Sequence, residues 1–196
     1  MYSTSHIIAE TSLENYVRRY RDADKFIVYC ERCNRYNACW ACPPFDFDTG
    51  AELSRYKMAW IIGTKIDIEE EVIAHNKGWE LCTPLTYQII EEVRFALDEK
   101  LLNMEKKYPG SKAFFAGSCH LCALGKCARI KGEPCVFPDR IRPSLESFGF
   151  DMSKTATELL NIEMKWSRNG VLPPYFILVS GLLTVQKIPL LLSHLK

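Results

Sequence analysis

The sequence predicts an α+β (or α/β) domain in which a small mixed sheet of three to four strands, packed by helices, carries two cysteine-rich loops. Three observations lead there. Apolar runs of strand length occur at 58–66, 112–117 and 175–185. A long segment of helical period separates the first two runs, with Leu85, Ile89, Val93, Ala96 and Leu97 on one face. Eight of the nine cysteines fall in two short windows, 30–44 and 117–138.

The chain has 196 residues, of which 47% are hydrophobic and 12% aromatic, enough to bury a sizeable core as a single domain over 1–196. The formal net charge of +1 provides no global field for nucleic acid or an anionic membrane. The first residues lack a basic stretch followed by an apolar run, so no signal peptide is expected. The apolar tail 182–195 is broken by Gln186, Lys187 and Pro189 and is too short to span a bilayer. A cytoplasmic protein is expected.

Taken in order, Thr11-Ser12-Leu13-Glu14 predicts a capping box with Thr11 as the cap, followed by a helix presenting Leu13, Tyr16, Val17 and Tyr20. Residues 25–29 predict a strand leading into Cys30, and 51–55 a short helix. The acidic run Asp67, Glu69, Glu70 and Glu71 predicts a surface loop. Thr83-Pro84 predicts the start of the long helix and Pro109-Gly110 its end. A short helix near Leu145, a helix over 155–166 and a last strand over 175–185 complete the chain. Parallel strand neighbours are expected across the long helix.

In a reducing compartment, cysteines at this density indicate metal rather than disulfides. The first motif, Cys30, Cys33, Cys39 and Cys42, is C-x2-C-x5-C-x2-C. The second, Cys119, Cys122, Cys127 and Cys135, is C-x2-C-x4-C-x7-C. Structural zinc joins its cysteine pairs by a longer insert than the five residues 34–38. Compact runs ending in Cys-Pro, as at Cys42-Pro43, favour 4Fe-4S clusters, two for eight ligands, with zinc the alternative. Two local sets of four are the simplest grouping, and interleaved pairs or a cluster with an open iron also fit. Cys82 stands apart and is expected to be a small buried hydrophobe.

The surroundings of the motifs add further expectations. Trp40, Tyr36, Phe45 and Phe47 around the first motif are expected to pack in the core. His120 is a candidate metal ligand, proton shuttle or solvent-facing side chain. Arg140 and Arg142 are candidate contacts to an anionic substrate or a partner's carboxylates. Residues 119–142 carry Lys126, Arg129, Lys131, Arg140 and Arg142 against Glu133 and Asp139, a balance of +3. Residues 30–48 carry a balance of −1, so a cluster in the second motif is expected to have the higher potential. Phosphate loops, dinucleotide fingerprints, zinc-protease motifs and serine nucleophile elbows are missing from the sequence.

The run Cys30-x2-Cys33-x2-Tyr36-x2-Cys39-x-Ala41-Cys42-Pro43-Pro44 resembles the first motif of an uncharacterised prokaryotic family of cysteine-rich predicted metal-binding proteins. Gly117-Ser118-Cys119-x2-Cys122, Cys127 and Gly132-x-Pro134-Cys135-x2-Pro138 resemble its second motif. The segment Arg142-Pro143-Ser144-Leu145-Glu146-Ser147-Phe148-Gly149-Phe150-Asp151 is similar to the one that follows. The resemblance implies cysteine-ligated metal. It also implies Arg after the last cysteine, where this chain has Val136, which leaves any anion-binding role to Arg140 or Arg142.

The functional expectation is an iron–sulfur protein in electron transfer, or a redox accessory, with a redox partner protein and no nucleic-acid partner. The alternatives are an enzyme binding an anionic substrate at an open cluster iron and a zinc-stabilised interaction module.

Overall fold

The computed structural model describes residues 1–123, 125–189 and 195. Its centre is β2 (Met58–Ile68), whose near-continuous apolar run is buried on both faces. On one side it pairs with β1 (Tyr2–Ser12), Tyr2 opposite Ile68 and Ser12 opposite Met58. On the other it pairs with β4 (Tyr175–Thr184), and β4 pairs with the short β3 (Lys112–Phe114). The order is β1-β2-β4-β3 and every pair is antiparallel, which makes the fold α+β. The parallel neighbours expected across the long helix are therefore corrected. β2 and β3 do run the same way, but β4 is inserted between them, as in a split βαβ unit.

Helices cover both faces. The long helix, α5 (Trp79–Lys107), lies over one, packing Cys82, Ile89, Val93, Leu97 and Leu101 toward Trp60, Ile62, Ile66 and Leu182. Cys82 is wholly buried there, as expected. On the opposite face Ala59, Ile61, Ile177 and Val179 meet α1 (Leu13–Tyr20) and the segment Leu145–Leu160. Tyr16 stacks on Phe150 with ring centres 4.6 Å apart. Short helices α3 (Thr49–Leu53), α4 (Glu70–His75) and α6 (Met152–Lys154) fill the connections, and α6 runs on as one wider turn over Thr155–Leu159. Among the described residues no helix is long and apolar enough to cross a membrane. The apolar tail lies partly outside the described residues.

Several elements differ from expectation for identifiable reasons. The predicted strand at 25–29 is part of a helix, α2 (Ala23–Glu31), capped by the Asp22 side chain, which accepts from the Lys25 N–H. Ala23, Phe26, Ile27 and Cys30 turn inward at i, i+3, i+4 and i+7 while their neighbours are exposed. β1 was not expected; it is a half-exposed edge strand with few apolar residues. Ser12, not Thr11, caps α1 by accepting from Asn15 N–H at 3.3 Å. The acidic run is divided between the end of β2 and α4. α5 begins at Trp79 with Pro84 inside it, because Pro84 forfeits one hydrogen bond on an exposed face. The helix expected to reach Trp166 stops before Asn161, whose φ of 54° is left-handed, and residues 162–166 are irregular.

Gly149 has φ +84°, and a Cβ on it would lie 2.6 Å from the Ala23 Cα at the start of α2. Gly149→Ala is expected to cost roughly 1–3 kcal/mol from the backbone conformation alone, with the clash adding to it. Denaturant unfolding checks this; an unchanged midpoint would contradict the packing of α2 on this turn.

Candidate metal centre

The two cysteine loops fold against each other. Cys30 ends α2, and tight turns follow, with Cys33 N–H donating to the Cys30 carbonyl and Cys42 N–H to that of Cys39. The second loop leaves the sheet at Phe115, which bridges to Ser144, and among its described residues contains a 3-10 helix at Ala128–Lys131. From that turn Arg129 reaches the first loop. Its guanidinium donates to the carbonyls of Cys39 (2.9 Å), Cys42 (2.6 Å) and Pro44. It also lies 5.1 Å from the centre of the Trp40 ring. Trp40 in turn donates its indole N–H to the Glu133 carbonyl at 3.0 Å. The guanidinium presents its donors in a rigid planar fork, whereas a lysine ammonium presents fewer of them from a single point.

This docking brings the thiols of both motifs together. Cys39 and Cys42 are buried, and half-buried Cys119 packs on them beside Ile141. Hydrogen bonding from the Cys119 and Cys42 thiols lowers Cys39 below the usual thiol range. Cys42 and Cys119 are driven upward, first by that same bond and then by burial. The three thiols are thus electrostatically coupled. Burial also raises Cys122, which lies in the field of Cys127, Cys135 and Cys39. Cys30 is raised by burial and then by Cys33.

Cys39 and Cys42 of the first motif thus lie against Cys119 of the second. Among the described residues, no three His, Cys, Asp or Glu side chains form a ready-made cage for an ion. The candidate donors are nonetheless all sulfur, the eight cysteines of the two loops being free, and this suits thiophilic metals and clusters.

The charged residues expected to reach outward are used within the chain. His120 is buried, with Nδ1 2.5 Å from Glu91 Oε2 and Nε2 2.8 Å from Asp98 Oδ2. Phe95 stacks on its ring at 4.3 Å. Both ring nitrogens are engaged, so His120 anchors the loop to α5 and is not presented to a metal or to solvent. Arg142 grips Glu105 through Nε and Nη2, at 2.8 and 2.5 Å. Arg140 pairs with Glu99 in an exposed contact. With these pairs formed and Arg129 on the first loop, the surplus charge assigned to the second motif is spread over both loops and α5. The expected ordering of cluster potentials loses that premise. Among the aromatics, Phe45 and Phe47 stack at 5.0 Å and reach Phe148, while Trp40 serves Arg129.

Sequence reasoning missed Glu91, Arg94, Asp98 and Glu105. They recur on one side of α5 at helical spacing, and a polar stripe running beside an apolar one was the available signal. Arg94 is 7% exposed, donates to Glu91 at 2.6 Å and also reaches the Ser118 carbonyl. Glu146 was quoted only within the resemblance. It lies in the turn Glu146–Phe148, and its Oε2 is sealed from solvent without a hydrogen-bond partner among the described residues.

Of the three cavities that Glu146 lines, two are the larger. One, of about 490 Å3, runs along α5 past Arg94 to Trp79 and Trp166. The other, of about 590 Å3, reaches Cys30, Cys33, Cys42 and Arg35. They share Gly117, Glu146 and Trp166.

The family described as "Predicted metal-binding protein (DUF2284)" matches residues 17–183. The chain belongs to this family. The match spans both cysteine loops, α5 and most of the sheet, so the family's description covers the whole candidate centre. No curated protein and no solved structure matches the chain significantly.

Two measurements probe the centre. Arg129→Ala leaves three carbonyls without their donor and is expected to destabilise the protein by about 1–3 kcal/mol. It should also lower bound metal per chain, with Arg129→Lys only partly restoring it; full metal content in Arg129→Ala would refute the stapling role. Glu146 is raised above the usual carboxylate range, first by burial. Its ionised form is therefore penalised in the folded state, and stability falls as pH rises from the unfolded value through the folded one. Glu146→Gln should melt above the parent protein at pH 8, and the gap should close toward pH 4. A gap constant across that range would contradict the burial.

Proposed function

We propose that this member of the metal-binding family carries cysteine-ligated iron–sulfur, two 4Fe-4S clusters, and acts in the cytoplasm as an electron relay or redox accessory to a partner protein. The observation that supports the reading most is the contact of Cys39 and Cys42 with Cys119, which joins the two motifs. Cys30, Cys33, Cys39, Cys42, Cys119, Cys122, Cys127 and Cys135 would hold the clusters, with Cys39, Cys42 and Cys119 contributing to one centre. Bound there, a cluster supplies one-electron storage. The chain's own part is to bring the loops together through Arg129, to shield the buried thiols beside Ile141, and to fix the second loop on α5.

One observation favours a second reading, an enzyme with an anionic substrate at an open cluster iron. Cys30, Cys33 and Cys42 form a wall of the larger cavity, with Arg35 beside them.

Anaerobic purification should give a brown protein with about eight irons and matching sulfide. A colourless protein with stoichiometric zinc would overturn the iron–sulfur reading. Cys39→Ser and Cys119→Ser, one in each motif, are expected to abolish the same electron paramagnetic resonance signal of the reduced protein. Loss of two different signals would mean that the motifs hold separate centres.

A further inference from the structure

The cavity of about 590 Å3 is a cleft beside the first cysteine loop, and Arg35 lines it together with Cys30, Cys33 and Cys42. Arg35 sits in the turn that separates the two cysteine pairs of that loop. Its backbone is held on both sides. The N–H donates to Cys33 Sγ at 3.5 Å, and the carbonyl accepts the Ala38 N–H at 3.1 Å. The side chain is not committed in this way. Among the described residues the guanidinium of half-buried Arg35 has no hydrogen bond or ion pair. Its charge nonetheless acts on thiols of both motifs, Cys39 and Cys42 in its own loop and Cys122 in the other, alongside the stronger effects of hydrogen bonding and burial.

The other arginines close to the loops are taken. Arg129 serves three carbonyls of the first loop, and Arg140 and Arg142 pair with Glu99 and Glu105. A guanidinium drawn partly out of water without a counter-charge is destabilising. The first loop provides that counter-charge once it holds metal, because cysteines that bind metal are deprotonated. Each thiolate adds a negative charge to a loop whose remaining charges, Arg32 and Arg35 against Glu31, Asp46 and Asp48, already sum to −1. Repulsion among these charges weakens metal binding and disfavours the reduced state of a cluster. A cation fixed between the two cysteine pairs opposes both effects.

We propose that Arg35 is the charge-compensating residue of the metal centre, its guanidinium offsetting the negative charge that the thiolates acquire when they bind metal. It acts through its charge and ligates nothing. The inference rests on the reading that the cysteines hold metal, and it applies to iron and zinc alike.

Chelator competition and redox titration of the as-purified protein under nitrogen test it, with Arg35→Gln, Arg35→Lys and Arg32→Gln beside the parent. Metal and sulfide content of the parent are measured first. Arg35→Gln should release its metal at about tenfold lower chelator concentration, the lower end for residues that support metal ligands from outside the coordination shell. Where the metal is an iron–sulfur cluster, its midpoint potential should also fall, a readout of charge and not of loop stability. Arg35→Lys keeps the charge and should restore most of both. Arg32 is exposed, and Arg32→Gln removes the same formal charge, so it should stay near the parent values. Unchanged metal retention in Arg35→Gln overturns the proposal. So does an equal effect from Arg32→Gln, or a loss in Arg35→Lys as large as in Arg35→Gln. A parent protein without metal overturns the ligand reading and the proposal with it, whereas a metal-bearing parent with unchanged variants overturns the proposal alone.

Discussion

One side of α5 carries Glu91, Arg94, Asp98 and Glu105, and the second cysteine loop depends on these four side chains for its position. The loop has little regular structure, only one short 3-10 turn among its described residues. A ladder of backbone hydrogen bonds does not hold it. It is held by His120 between Glu91 and Asp98, by the Ser118 carbonyl on Arg94, and by Arg142 on Glu105. Glu105 also accepts the Ala113 N–H at 2.5 Å, so the same carboxylate secures the first residues of β3. Buried charges destabilise a fold unless they are paired and hydrogen-bonded. Removing any one partner therefore strands the others, which ties the loop to a single position. The first loop is fixed in turn through Arg129.

Much of the fold was legible because burial on both faces leaves a strong apolar signal. β2, β4 and the inward stripe of α5 all follow from it. What was not legible is where that signal is weak or ambiguous. β1 is an edge strand with polar residues on most positions, and its place comes from pairing with β2 over its full length. In α2, the run Phe26-Ile27-Val28 has β propensity, yet the Asp22 cap and the packing of Ala23 on Gly149 impose a helix. Local propensity yields there to a tertiary contact more than a hundred residues away in the chain.

The candidate centre divides in the same way. Residue type and spacing single out eight thiols as candidates, because thiolate chemistry needs cysteine whatever the fold. Which thiols meet depends on long-range docking, and neither C-x2-C spacing indicates that Cys39 and Cys119 touch. The arginines mislead for a related reason. Counted along the sequence, Arg129, Arg140 and Arg142 look like a basic patch around the second motif. In the fold, two are consumed by carboxylates of α5 and one by carbonyls of the first loop. A charge count records neither the direction nor the partner of a long side chain.

The segment Arg142–Gly149 links these parts. Arg142 grips α5 and Ser144 bridges to Phe115 at the end of β3. Glu146 enters the cleft, Phe148 packs edge-on against Phe114, and Gly149 admits the start of α2. Eight residues therefore contact the long helix, the sheet, the cleft and the helix that delivers Cys30. Gly117 and Ser118, which open the second loop, also line the cleft. The thiol zone and the cleft consequently share their supports. A displacement of α5 that moved Cys119 would also move Arg94, and one that moved α2 would shift Cys30 against Glu146. Metal occupancy and the shape of the cleft are thus expected to respond together to changes along this segment, because the same residues support both.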